Sequence, residues 1–174
     1  MRLNQTLCIL CILLFGSRLY SQTNSVSYSS YFTAEFLERV IKDPKPVDEN
    51  IIFDNSKTQG LRIYYGGRIS YGSNILEQHI EYGNYNIILV TEEIDNVEYA
   101  RDYLILEKQN PETYLGNGPV EINGEYFDWE VIVVVNHEWR AHFTDDISSA
   151  FKVNPQTKKI EPFIYNTIRL YAED

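Results

Sequence analysis

Cysteine is nearly missing from this chain. The two cysteines that occur, Cys8 and Cys11, lie in an apolar run near the N-terminus. If that run is removed during export, the remaining protein has no disulfide, no thiolate metal ligand and no cysteine nucleophile. Its stability must then come from a hydrophobic core, for which an apolar content of 44% is sufficient. An exported protein without disulfides suits a bacterial periplasm or cell surface.

Long hydrophobic runs are missing as well. No stretch reaches the roughly 18 apolar residues that indicate a membrane-spanning helix, so we expect no transmembrane segment in the mature chain. The run from Leu7 to Gly16 follows Arg2, and Leu19-Tyr20-Ser21 offers a cleavage site before Gln22. This pattern predicts a signal peptide over residues 1–21 and a periplasmic or extracellular protein. The alternative is that the run forms a buried helix of the mature protein.

Basic residues are scarce relative to acidic ones. The chain has 15 lysines and arginines against 25 aspartates and glutamates, which gives a net charge of −10. An acidic surface repels nucleic acid and anionic membranes. It favours cations or a basic protein partner, although solubility alone would also account for the charge. The sequence does not indicate an oligomeric state.

Signatures of catalysis and metal binding are also missing. The segment from His137 to His142, HEWRAH, resembles the zinc motif H-E-x-x-H, but its histidines are five residues apart and would share neither a helix face nor a strand face. A zinc site would need an irregular loop and a carboxylate such as Asp145 or Asp146. A dyad of His142 with Asp145 could act as a base, but nothing marks it as one. We therefore expect no metal and no cofactor, and the sequence leaves enzyme activity open as an alternative.

The most informative stretch that is present runs from Phe127 to Asn136. Apolar residues alternate with Asp128 and Glu130 in its first half, and its second half is apolar throughout. A period of two predicts a strand, and a strand covered on both faces lies at the centre of a sheet. The preceding Asn123-Gly124 is a strong hairpin signal, which places Val120 and Ile122 on the same face as Phe127 and Trp129.

Two helices and two further hairpins are predicted before this strand. The first helix covers 31–42 and the second covers Asp95 to Gln109, with Val97, Ala100, Leu104 and Ile105 as the apolar stripe of the second. One hairpin turns at Gly66-Gly67. The other turns at Gly83-Asn84 and pairs Tyr82 with Tyr85, Ile80 with Ile87, and Gln78 with Leu89; its rival is a helix that begins at Ser73 with a capping box.

These elements predict an α+β fold in which a curved antiparallel β-meander packs against helices. Residues 22–30 are a polar, flexible lead, and 31–174 form a single domain or two helix-plus-meander halves, 31–92 and 95–171. The order of DNVEYARDYLILEKQ, GPVEI, DWEVIVVV and FKVNPQTKKI resembles the cystatin-like and nuclear-transport-factor-2-like folds. That resemblance implies a small exported module, and its members include immunity proteins, inhibitors and some enzymes. Lys158 departs from it, because a glycine usually follows the turn threonine.

The best candidate site is the segment that follows the central strand. Trp139 and Arg140 belong to the residue types that dominate binding hot spots. With His142, Asp145 and Asp146 they form the predicted binding site. We expect an exported, non-catalytic protein-binding module of the inhibitor or immunity type. The alternatives are a small-ligand-binding protein or enzyme with a pocket in the cone of the bent sheet, and a structural component of the envelope. The 14 tyrosines, several of them near hairpin tips, are a second candidate surface.

Overall fold

A computed structural model describes residues 31–48, 50–116, 118–127, 131–137 and 142–171. The predicted signal peptide, the flexible lead and Trp129 lie outside these ranges. The described residues form helix α1 (Ala34–Lys42), a short 3-10 helix (Asn55–Lys57) and the strands β1 (Ile52–Phe53), β2 (Arg62–Arg68), β3 (Ile75–Tyr82), β4 (Tyr85–Ile94), β5 (Val97–Glu107), β6 (Tyr114–Gly116), β7 (Val120–Ile122), β8 (Glu125–Phe127), β9 (Ile132–Val135), β10 (Phe143–Thr144), β11 (Ile147–Asn154), β12 (Lys159–Pro162) and β13 (Ile168–Tyr171).

Helix α1 forms where the sequence predicts the first helix. Thr33 caps its N-terminus by accepting a hydrogen bond from the backbone N–H of Phe36, and Asp43 follows its last residue. Glu35 lies in the first turn, and Arg39 and Lys42 lie in the last, as the helix dipole favours. The apolar face of α1 packs on the sheet and buries Phe36, Leu37 and Val40.

The first sheet has five antiparallel strands in the order β1-β5-β4-β3-β2. The predicted hairpin at Gly83-Asn84 is confirmed with its register, since Tyr82 pairs with Tyr85 and Ile80 with Ile87. The predicted hairpin at Gly66-Gly67 is wrong, because both glycines lie inside β2 and pair with Gln78 and Glu77 of β3. A Cβ atom on Gly66 would collide with the Gln78 side chain, so this glycine makes room for a neighbour and does not reverse the chain.

The segment predicted as the second helix is strand β5, so the predicted α+β fold class is wrong. Strands hold 53% of the structure and helix only 9%, which makes the fold nearly all-β. Asp95 and Asn96 have φ of 51° and 64°, the conformation of a two-residue hairpin turn, and do not cap a helix. Leu104 and Ile105 are both half-buried and lie on opposite faces of this strand. The helix that carried the resemblance to the cystatin-like fold is therefore absent.

Substitutions in the turn between β4 and β5 test whether the segment after it is a strand or a helix. Replacing Asn96 with Val should lower the free energy of unfolding by about 1–2 kcal/mol, because an L-residue with a large Cβ disfavours positive φ. Replacing Asn96 with Gly should leave stability unchanged or raise it slightly. As a helix N-cap, Asn96 would lose its capping side chain in both variants, so Asn96→Gly would lower the stability by roughly a few tenths of a kcal/mol, where the hairpin turn predicts no loss. Urea denaturation of the two variants distinguishes the structures.

The second half of the chain forms two four-stranded antiparallel sheets, β10-β13-β7-β8 and β12-β11-β9-β6. They enclose a second core with Val120, Val133, Ala150 and Leu170 among its buried members. The hairpin at Asn123-Gly124 forms as predicted, and Val120 pairs with Phe127. The predicted single strand from Phe127 to Asn136 is wrong, since β8 and β9 belong to different sheets. The apolar part of it, β9, is buried on both faces as expected.

Polar contacts join the two halves. Lys158, in the turn between β11 and β12, has a positive φ of 57° where a glycine would be unstrained. Its Nζ lies 2.7 Å from Oε1 of Glu92 on β4, and Nε of Arg101 lies 2.8 Å from the other oxygen of that carboxylate. The backbone N–H of Ile160 donates to Asp102 at 2.8 Å. The β11–β12 hairpin is thus fastened to the first sheet through Glu92 and Asp102.

Candidate recognition surface

The outer face of the β10-β13-β7-β8 sheet carries a group of side chains that alternate with core residues. Ile122, Ile168 and Leu170 point into the second core. Their neighbours in sequence point outward because successive strand residues face opposite sides. The register then sets Glu121 opposite both Tyr126 and Arg169, and Tyr171 opposite Phe143. We call these five outward residues, Glu121, Tyr126, Phe143, Arg169 and Tyr171, the aromatic face.

Three rings of the aromatic face contact one another. Tyr126 stacks on Tyr171 with ring centroids 5.6 Å apart, and Phe143 lies 6.0 Å from Tyr171 in a tilted arrangement. The Arg169 guanidinium carbon lies 4.3 Å from the Phe143 ring centroid. Tyr126 nevertheless remains 68% exposed and Phe143 41% exposed. Large aromatic side chains that are ordered but uncovered are typical of a surface that binds a partner.

Hydrogen bonds hold these rings in place. Tyr171 donates its hydroxyl to Oε2 of Glu121 at 2.6 Å, and Arg169 donates to the Tyr171 hydroxyl at 3.5 Å. The Arg169 guanidinium also lies 3.8 Å from the Glu121 carboxylate. The pKa of Arg169 is raised, first by its hydrogen bond to Tyr171 and further by the charges of Glu121 and Asp145. The pKa of Tyr126 is raised first by its hydrogen bond with Tyr171, then by desolvation and by the charge of Glu121.

A cleft of about 410 Å³ opens beside the aromatic face, between Asp145 and the start of β13. We call it the end cleft. It shares Glu121 and Arg169 with the aromatic face, and Asn166 and Thr167 contribute polar atoms to its lining. The backbone N–H groups of Asn166 and Thr167 donate to Oδ1 of Asn123 at 2.9 and 3.1 Å. This anchoring to the β7–β8 turn keeps that wall of the end cleft in position.

Of the five predicted site residues, the structure describes His142, Asp145 and Asp146. Trp139 and Arg140 lie outside the described residues. His142 is exposed directly before β10, and Asp145 is exposed and lines the end cleft. Asp146 is half-buried: it accepts a hydrogen bond from the Asn136 side chain at 2.7 Å and pairs with Nδ1 of His137 at 2.5 Å. Asp145 therefore lies in the end cleft beside the aromatic face, whereas Asp146 joins the end of β9 to the start of β11.

Sequence reasoning missed most of the aromatic face. Its residues come from four strands between Glu121 and Tyr171, and only the strand register brings them together. The sequence does contain one signal. Apolar residues alternate with other residues in VEI (120–122) and IRLY (168–171), and this places Glu121, Arg169 and Tyr171 on the face opposite the core. Combined with the Asn123-Gly124 turn, that alternation also places Tyr126 beside Glu121.

Two larger clefts flank the segment from Pro44 to Val47, with volumes of about 630 and 590 Å³. The hydroxyl of Tyr103 donates to the Lys45 carbonyl at 2.6 Å and ties this segment to β5. The apolar floor of the larger cleft is Phe36, Val40 and Ile51, which are exposed by 6% or less. The larger cleft is mainly apolar and suits a small apolar ligand, whereas the aromatic face carries the exposed side chains that suit a protein partner.

The described residues contain no group of three or more histidine, cysteine, aspartate or glutamate side chains that could hold a metal ion. A buried acid–histidine pair joins Glu77 to Nε2 of His79 at 2.6 Å. Both side chains are buried, and the Tyr65 ring lies 5.4 Å from that of His79. A substrate could not reach this pair, which we interpret as a stabilising contact within the first sheet. No helix in the described ranges is long and apolar enough to cross a membrane.

Comparison with known proteins gives no further guide to the function. No protein-family model matches the chain, and no curated protein or solved structure is similar to it at a significant level.

Proposed function

We propose that this chain is an exported, non-catalytic protein-binding module of the inhibitor or immunity type, and that it binds its partner through the aromatic face. The observation that carries the proposal is that Tyr126 and Phe143 are exposed, while their ring contacts with Tyr171 already fix their positions. Such side chains lose little conformational entropy on binding, which is why aromatic residues dominate hot spots.

The placement of these residues on strands supports the same function. A sheet holds a binding surface more rigidly than a loop does. The face combines an apolar centre with charged groups, Glu121 and Arg169, which resembles the composition of protein interfaces. A buried catalytic pocket would favour an enzyme, whereas an open face with exposed aromatic rings supports protein binding.

The test begins with capture of a partner from the secreted and envelope fractions of the protein's own source. The dissociation rate of the purified partner is then compared for the wild type, Tyr126→Ala and Phe143→Ala. We expect each truncation to weaken binding about thirtyfold, which corresponds to a hot-spot contribution of about 2 kcal/mol.

The matched control is Tyr71→Ala, because Tyr71 is fully exposed in the turn between β2 and β3. It should leave the affinity unchanged. If Tyr71→Ala weakens binding and both substitutions on the aromatic face do not, the β2–β3 turn is the interface and this proposal is wrong. Circular dichroism and thermal melts confirm that each variant is folded.

A further inference from the structure

We propose that the partner presents a basic segment with one arginine that stacks on Tyr126 and pairs with the Glu121 carboxylate, and with a second basic side chain that enters the end cleft beside Asp145. This inference rests on the proposed function and specifies the chemistry of the partner. It is carried by the exposed ring, by the charge around it and by the end cleft beside it.

The aromatic face already contains one arginine that contacts both an aromatic ring and a carboxylate. Arg169 lies over the Phe143 ring at 4.3 Å and within 3.8 Å of Glu121. A guanidinium is attracted to the face of an aromatic ring and to a nearby carboxylate at the same time. Tyr126 uses one of its faces to stack on Tyr171, and its 68% exposure leaves the other face open. That open face can accept a second guanidinium in the same way.

The charges favour a cation there. Glu121 and Asp145 supply two carboxylates against the single guanidinium of Arg169, and the whole chain carries a net charge of −10. A positively charged partner would therefore be attracted from a distance and held locally. The same charge opposes phosphate-rich partners such as nucleic acid or anionic membranes.

The end cleft provides room for the second basic side chain. Its volume of about 410 Å³ fits an amino-acid side chain, and Asn166 and Thr167 add polar groups to its wall. Beside Tyr126 and Glu121, arginine is better suited than lysine, because a planar guanidinium can stack on a ring and donate two hydrogen bonds to one carboxylate. A lysine would keep the charge and lose both the stacking and the paired hydrogen bonds.

The experiment uses the full chain and short Gly/Ser peptides that carry arginine, lysine or citrulline at the same positions. NMR titration should show the arginine peptide shifting the amide signals of Glu121, Tyr126 and Asp145. We expect the lysine peptide to bind roughly three- to fivefold more weakly and the uncharged citrulline peptide not to bind. The double variant Glu121→Gln/Asp145→Asn should lose about tenfold in affinity and show a flatter dependence on salt.

The control is Glu107→Gln/Glu112→Gln, which removes the same charge from exposed positions away from the aromatic face. Equal losses in both double variants, or equal binding of the arginine and lysine peptides, would mean unspecific attraction to an acidic protein and overturn the inference. Neutral oligosaccharides that shift the same signals, when the peptides do not, would identify the face as a glycan site instead. If a natural partner depends on Tyr126 but not on Glu121 and Asp145, the proposed function stands and only this inference fails.

Discussion

Replacing Glu92 with Gln should destabilise the protein by about 3 kcal/mol, near the lower end of the range for breaking a buried ion pair. The Glu92 side chain is only 10% exposed, and its two oxygens bind Arg101 and Lys158 at 2.8 and 2.7 Å. Glutamine keeps the shape of the side chain but removes the charge that compensates both cations. The loss stays near the lower end because Lys158, 36% exposed, can turn towards water.

The adjacent residue provides a matched control. Glu93 pairs with Arg68 at 2.8 Å, but this pair is at the surface, with side chains 32% and 44% exposed. Glu93→Gln should therefore cost no more than about 1 kcal/mol. Urea denaturation at neutral pH measures both variants. Equal effects of the two substitutions would mean that the contact between Glu92 and Lys158 does not stabilise the junction between the two halves of the chain.

The effect of Glu92→Gln should also depend on pH. The pKa of Glu92 is lowered from its ordinary value of 4.5, first by the hydrogen bond from Lys158 and then by that from Arg101. A carboxyl group whose pKa is lower in the folded state stabilises the fold above its unfolded pKa, and this contribution is lost as the pH falls through the folded pKa. The difference in stability between wild type and Glu92→Gln should thus be constant at neutral pH and shrink below about pH 4.5.

Local signals in the sequence were sufficient for elements whose two faces differ. Helix α1 was predicted from a single apolar stripe, because one side of it faces the core and the other faces water. The turns at Gly83-Asn84 and Asn123-Gly124 were predicted because only a few residue types adopt the backbone conformation of a tight hairpin. In each case the information lies within a few consecutive residues.

The errors occurred where tertiary contacts decide the structure. Strand β5 has half-buried apolar residues on both faces, so they do not alternate with polar residues, and their spacing imitates a helix. In the sequence β8 and β9 look like one strand because the alternation of apolar residues continues from Phe127 to Val135. Gly66-Gly67 is typical of a turn, but inside β2 the space beside Gly66 is filled by the Gln78 side chain of the neighbouring strand. The aromatic face could not be found for the same reason, since it depends on how four strands pair.

The junction between the two halves also explains the unusual residue at position 158. The predicted resemblance made Lys158 an exception, because a glycine is typical there. The structure gives it a strained φ of 57° and a contact with Glu92 that no glycine could make. The cost of the left-handed conformation, about 1 kcal/mol, is offset by a charge-assisted hydrogen bond that joins positions 66 residues apart. The residue that departs from local preference is therefore the one that makes a long-range contact.

Replacing Phe32 with Ala should cost about 3–5 kcal/mol, the range for removing a large aromatic side chain from a core. Phe32 is fully buried between α1 and the first sheet, with ring centroids 5.0 Å from Phe36, 6.4 Å from Phe53 and 6.5 Å from Tyr103. Since α1 has only nine residues, it would not be stable alone and depends on this packing. Hydrogen exchange should therefore accelerate in α1 of the variant before it does in the sheet.

Phe143→Ala provides the matched control, because the same side chain is removed from a position that is 41% exposed. It should cost less than about 1.5 kcal/mol, the upper range for an aromatic pair at a surface. Denaturant titrations of the two variants give the comparison. A loss from Phe32→Ala no greater than that from Phe143→Ala would mean that α1 does not pack on the sheet through this ring. A larger loss at Phe32 would instead establish that this ring holds α1, the single α-helix of the described residues, on the first sheet.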